Sequence, residues 1–162
     1  MPFHPKKILV ATDFSEHARS AADAAGVMAR AFDAKVTLVH VIPLGLYVDV
    51  ATHMEGRTFT KEDFQASVIR RTKKDAEIEL ERLKGDGVFA EYMTVDGPPP
   101  SEIARVAKEG NYDLVVMSTH GRTGLMHLAM GSVAENVVRL CTVPVLVVRP
   151  AGAETTPAPS KA

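Results

Sequence analysis

The chain has 162 residues, 46% of them apolar and 24% charged, which suits one globular domain with a full hydrophobic core. With 19 basic and 20 acidic residues the formal net charge is −1, so no global positive field draws the chain to nucleic acid or to an anionic membrane. A single cysteine, Cys141, excludes an intrachain disulfide, and no apolar run approaches the ~20 residues needed to span a bilayer.

The opening residues, MPFHPKKILV, lack the long apolar region and small-residue cleavage site of a signal peptide. The expected compartment is therefore the cytoplasm, with neither nucleic acid nor membrane insertion expected. Lys7–Thr12 is a short apolar run of the kind that forms a strand covered on both faces. Ser15 is a good N-cap for a helix running to about Phe32, with Ala18, Ala21, Ala22, Ala25, Ala29 and Phe32 at helical spacing along one side. Lys35–Ile42 is the second strand. Its His40 reads as a packed or surface-facing histidine, and Pro43 ends the run. A connection to about Phe59 follows, longer than an ordinary loop and so expected to be functional or mobile.

Thr60–Lys84 is expected to be a long charged helix with Thr60–Asp63 in a capping-box arrangement and a narrow apolar stripe of Ile69, Ala76, Leu80 and Leu83. Gly85 and Gly87 stop it. Val88–Val95 is a more polar, alternating third strand. The Gly97-Pro98-Pro99-Pro100 turn leads into a helix over Ser101–Glu109, which Gly110 ends. Asp113–Met117 is the fourth strand, Gly131-Ser132 starts the last helix, and Val143–Val148 is the fifth strand. Residues 1–150 thus form one domain, and 151–162 a Pro/Ala/Thr-rich tail expected to be disordered.

Five strands in strict alternation with four helices mean a doubly wound, Rossmann-like parallel sheet with helices on both faces. The polar third strand belongs at an edge, which favours the order 3-2-1-4-5 over 2-1-3-4-5. In that order the winding reverses between strands 1 and 4, and ligands bind at such a switch point, beyond the carboxyl ends of the strands. Strand 1 ends at Thr12-Asp13 and strand 4 at Ser118, so an acid and a glycine-containing turn meet there. The apolar fifth strand is left at the other edge, where it is expected to pair with its copy in a homodimer through Val143–Val148.

Gly121 and Gly131 let the backbone approach a polyphosphate, and Ser132, at a helix start, offers both N–H and hydroxyl. Arg122 is the one formal cation between Ser118 and Asn136. One arginine does not balance a triphosphate, so ATP would bring a Mg²⁺ held through its phosphates and not by side chains. Asp13 can accept hydrogen bonds from ribose hydroxyls or cap the first helix, and backbone groups at Val41 can read an adenine edge. There is no G-x-x-x-x-G-K-[ST] motif, no G-x-G-x-x-G after strand 1, no convincing metal-ligand cluster and no nucleophile–base pair. The pattern is that of a binder more than a catalyst.

KILVATDFSEHA, VTLVHVI and STHGRTGLMHLAMGSVAENVVRLCTVPVLVV together resemble the universal stress protein family over about residues 5–150. The nucleotide-binding branch carries G-2x-G-9x-G-[S/T]. Gly121, nine residues, Gly131 and Ser132 match its second half, and Ser118 stands in place of its first glycine. The resemblance implies an adenine nucleotide between strands 1 and 4, with Asp13 at the ribose, Val41 at the adenine, and Gly121, Arg122, Gly131, Ser132 and Val133 around the phosphates. Ala11, Thr12, Met117, Thr119 and His120 complete the candidate contacts, and Ser118 is compatible with them unless its position demands a positive φ. It also implies a dimer through the last strand. Three functions follow: an ATP-binding regulatory module in the stress response, a slow ATPase, and a nucleotide-free dimeric interaction module.

Overall fold

A computed structural model describes residues 3–43, 53–54, 57–58, 61–119 and 131–150. In chain order its elements are β1 (Lys7–Ala11), α1 (Glu16–Phe32), β2 (Lys35–Ile42), β3 (His53–Met54), β4 (Arg57–Thr58), α2 (Lys61–Gly85), β5 (Ala90–Asp96), α3 (Pro99–Glu109), β6 (Leu114–Ser118), α4 (Ser132–Leu140) and β7 (Val145–Val148). The main sheet has the order β5-β2-β1-β6-β7, all neighbours parallel. Counting only its own strands, this is the expected 3-2-1-4-5.

The near-continuous apolar strands are explained by burial on both sides. Alternate residues point to opposite faces. Ile8, Val10, Val36, Leu38, Leu114 and Val116 form one core with α1 and Leu83 of α2. Leu9, Ala11, Val39, Val41, Val115 and Met117 form the other with α3 and α4. Eight of these strand residues, Ile8, Leu9, Val10, Val36, Leu38, Val39, Val115 and Val116, are at most 1% exposed. Each such side chain contributes about 1.5–3 kcal/mol on burial. Ala18, Ala21, Ala22, Ala25 and Ala29 of α1 are all buried, so a helix face without long side chains lies directly on the sheet.

Caps fix the element ends. Ser15 Oγ accepts the Ala18 N–H at 3.2 Å, as expected of the α1 N-cap. α2 closes with Val88 N–H on Leu83 O, Gly87 N–H on Lys84 O and Gly87 at φ +79°, a left-handed stop.

Several details differ from the sequence reading. The strict alternation is interrupted by the β3–β4 hairpin, a separate two-stranded antiparallel sheet in the long connection. Ile69 is not in the α2 stripe: it is 46% exposed, and the buried face runs Thr72, Ala76, Glu79, Leu83. The apolar count misled because Glu79 is buried with a partner, Arg82, whose guanidinium pairs with Glu79 and also with Asp23 of α1. That pairing raises the Arg82 pKa, chiefly through the Glu79 hydrogen bond. α3 begins at Pro99, not Ser101, because Pro98 serves as N-cap and proline fits the first turn. Asn111, at φ +50°, takes the left-handed position after α3, while Gly110 stays helical at φ −77°. A Cβ on Gly110 would lie 2.4 Å from the Tyr112 ring, so close packing and not φ requires that glycine. β5 starts later than expected, leaving Phe89 61% exposed beneath the Lys35 amine.

Candidate functional site at the carboxyl edge of the sheet

Strand register decides what meets at the switch point. Ala11 pairs with Val39 on one side and with Met117 on the other. Asp13 and Thr119 therefore lie just past the ends of the adjacent strands β1 and β6, and Val41 lies near the end of β2 on the other side of β1. The Thr119 N–H donates to Val148 O at 2.9 Å, and Thr119 O accepts the Gly131 N–H at 2.8 Å. One residue thus ties the end of β7 and the start of α4 to the end of β6. Asp13 and Gly131 lie on the same edge of the molecule, as the switch-point argument requires.

The β1–α1 turn is internally bonded. Thr12 N–H donates to Val39 O at 2.9 Å, Phe14 N–H to Thr12 Oγ1 at 3.0 Å, and Ser15 N–H to Asp13 Oδ1 at 3.0 Å. Phe14 sits at φ +57°, a left-handed conformation that a bulky side chain rarely adopts. Asp13 is half-buried, and its carboxylate braces the helix start through the Ser15 N–H. His40, read from sequence only as a packed or surface residue, places Nδ1 2.8 Å from Thr12 O and its ring 5.5 Å from that of Phe14. No sequence signal points to it, because the contact depends on the register that sets Val39 level with Ala11.

At the strand ends, Ala11, Val41, Met117, Ser118 and Thr119 are all at most 9% exposed; Ala11, Val41 and Met117 belong to the α3–α4 face, and Ser118, next to Met117 in the strand, points to the opposite one. Ser118 is a strand residue and is not among the residues at positive φ; its backbone imposes no demand for glycine. At the α4 start, Gly131 is the N-cap at φ −70°, ψ 152°, an angle pair open to any residue. Gly131 has no side chain to cap this helix, and among the described residues the first N–H to bond back is that of Glu135, to Gly131 O at 3.0 Å. Helix geometry leaves the N–H groups before it without intrahelical acceptors. Ser132 and Val133 are exposed, so this end of the helix is open. A helix start with glycine as its N-cap fits an anionic group: positive partial charge coincides with the lack of a Cβ. His120, Gly121 and Arg122 lie outside the described residues, as do most of the long connection before α2 and the tail at 151–162.

Among the described residues, no group of three or more His, Cys, Asp or Glu is placed to hold a metal ion. Cys141 is half-buried, and burial pushes its thiol pKa up, away from the thiolate form. No described helix is long and apolar enough to cross a membrane.

The architecture and its crevice define an open, doubly wound α/β domain of the kind that binds ligands beyond its strand ends. The chain belongs to the Universal stress protein family, whose model matches residues 4–149. It is 31% identical over 157 residues to universal stress protein MJ0577 of Methanocaldococcus jannaschii, with 89% of this chain and 94% of that protein covered. It is 35% identical over 148 residues to universal stress protein YxiE of Bacillus subtilis, with 88% and 98% covered. The solved structure of MJ0577 superposes with a TM-score of 0.78 at 30% identity, over 91% of this chain and 97% of that one. At 24% and 23% identity the fold is shared with a universal stress protein in complex with cAMP and with the Archaeoglobus fulgidus protein in complex with dAMP. Their TM-scores are 0.66 and 0.60, over 90% and 91% of this chain and 98% of each of those.

Proposed function

We propose that the chain is an adenine-nucleotide-binding universal stress protein, with ATP as its ligand, acting as a regulatory module in the cytoplasm. The observation that carries this reading is the double tether at Thr119, which sets the glycine-capped α4 start beside the strand end that neighbours Asp13. In this reading Asp13 holds the ribose hydroxyls and backbone groups at Val41 meet the adenine edge. The Ser132 and Val133 N–H groups, with Gly121 and Arg122, take the phosphates. Ala11, Thr12, Met117, Ser118, Thr119 and His120 shape the walls. Mg²⁺, coordinated through the phosphates, supplies the remaining charge. The adenine-containing ligands of two fold relatives are consistent with this assignment.

The protein works as a homodimer in this reading. β7 is an edge strand with Leu146 37% exposed, and α4 beside it leaves Val138 and Leu140 exposed at 46% and 51%. An apolar edge of this kind is relieved by pairing with a second copy.

Mass spectrometry of small molecules released from the purified protein tests the nucleotide reading. An adenine nucleotide at near-stoichiometric yield is expected. Protein that carries none and binds none on titration with ATP and Mg²⁺ is instead a nucleotide-free interaction module. ATP turnover well above ~1 per second makes it an enzyme.

A further inference from the structure

Among the described non-glycine residues at left-handed φ, Phe14 stands nearest the site, and its surroundings hold it there. A left-handed φ at a non-glycine residue costs on the order of 1–3 kcal/mol and persists only where neighbouring contacts enforce it. Bonds within the turn supply part of that enforcement: Phe14 N–H to Thr12 Oγ1, and Ser15 N–H to Asp13 Oδ1. From outside the turn come the α1-side core, against which Phe14 packs, and His40. Its ring lies 5.5 Å from the Phe14 ring, inclined at 40°, and its Nδ1 lies 2.8 Å from the carbonyl oxygen of Thr12. That oxygen only accepts, so Nδ1 carries the proton and donates. With Thr12 N–H bonded to Val39 O, both polar groups of the Thr12 backbone are tied to β2. Asp13 is the next residue. A shift of the Thr12 carbonyl rotates the peptide plane it shares with Asp13 and moves the Asp13 backbone and carboxylate with it.

We infer that His40 is a positioning residue for nucleotide binding, holding the Thr12–Ser15 turn in the strained form that presents Asp13 to the ligand. This rests on the nucleotide reading given above. The sugar end of the ligand is the part affected, because the turn lies on the Asp13 side of the crevice.

The test compares wild type, His40→Leu and His40→Asn by calorimetric titration with ATP and Mg²⁺ well below each melting temperature. Asparagine offers an N–H near the place of Nδ1; leucine offers volume and no donor. The Kd of the leucine variant is expected to rise by about three- to tenfold, the equivalent of one net hydrogen bond. The asparagine variant is expected to stay within about twofold of wild type. A residue with only a packing role would lower the melting temperature of both variants without separating their affinities. The imidazole ¹⁵N shifts of wild-type His40 add a readout that needs neither a variant nor a ligand, and a proton on Nδ1 is expected. If wild type binds and the leucine variant binds equally well, or if the neutral ring carries its proton on Nε2, the assignment to His40 is overturned while the nucleotide reading stands. If wild type binds no adenine nucleotide at all, the nucleotide reading itself is overturned and the role given to His40 goes with it.

Discussion

Replacing Gly131 with aspartate should move stability and nucleotide affinity in opposite directions. Gly131 sits at φ −70°, ψ 152°, where an L-residue is unstrained, and its own N–H bond to Thr119 O is untouched by a side chain. As N-cap of α4 it now contributes no side-chain oxygen. Aspartate there can accept from an N–H of the first turn and places a negative charge on the helix start. The cap over glycine is worth a few tenths of a kcal/mol, the dipole about 0.3–1, and the lost freedom of the unfolded chain about 0.4–1. A gain of about 1–2 kcal/mol is expected, or roughly 2–8 °C in melting temperature for a chain of this length. The same carboxylate occupies the donors proposed for phosphate and repels it. Loss of one charge-assisted bond, about 1.5–3 kcal/mol, raises the Kd for ATP about ten- to a hundredfold. Differential scanning fluorimetry without ligand and calorimetric titration with ATP and Mg²⁺ measure the two quantities. Gly131→Ala, with a Cβ and no cap, separates crowding from charge. Wild-type affinity in the aspartate variant would refute the placement of phosphate at the α4 start, whatever its melting temperature.

Two further outcomes test the edge strand and the buried ion pair. Leu146→Lys puts a charge on the exposed face of β7, and light scattering after size exclusion should find a dimer for the wild type and a monomer for the variant; a dimeric variant would mean that the interface lies elsewhere. Arg82→Ala takes the hydrogen-bonded partner from Glu79, which is 8% exposed, and leaves it Arg19 at 4.0 Å; the change should cost about 1–3 kcal/mol in urea denaturation. Adding Glu79→Gln should recover part of that loss, and a double variant no more stable than the single one would show that Glu79 and Arg82 are not coupled.

How far the sequence could be read depended on whether the controlling interaction was local. Ser15 announced its own cap, because an N-cap bonds a backbone N–H three residues on. The alanine row of α1 and the unbroken apolar strands announced a sheet covered on both faces, because burial imposes a period of 3.6 or 2 on the chain itself. The polarity of the third core strand was enough to place it at an edge. Glu79 was not legible, since a charge enters a core only with a partner, and Arg82 reads as one more basic residue in a charged helix. Asn111 was missed for a related reason: Gly110 is the better left-handed residue, yet the Tyr112 ring fills the space its Cβ would need.

The residues of the candidate site were present in the sequence as separate marks: an aspartate after one strand, a glycine–serine pair before one helix. Periodicity and turn chemistry determined the elements carrying them and the edge toward which they point. What only the tertiary structure decided was their register: Ala11 level with Val39 and Met117, and Thr119 bonded both to Val148 and to Gly131. It also brought His40 to Thr12 and held Phe14 in a left-handed turn. These are contacts between chain segments far apart in sequence. Their geometry is set by how two cores pack against one sheet, and no local pattern encodes it.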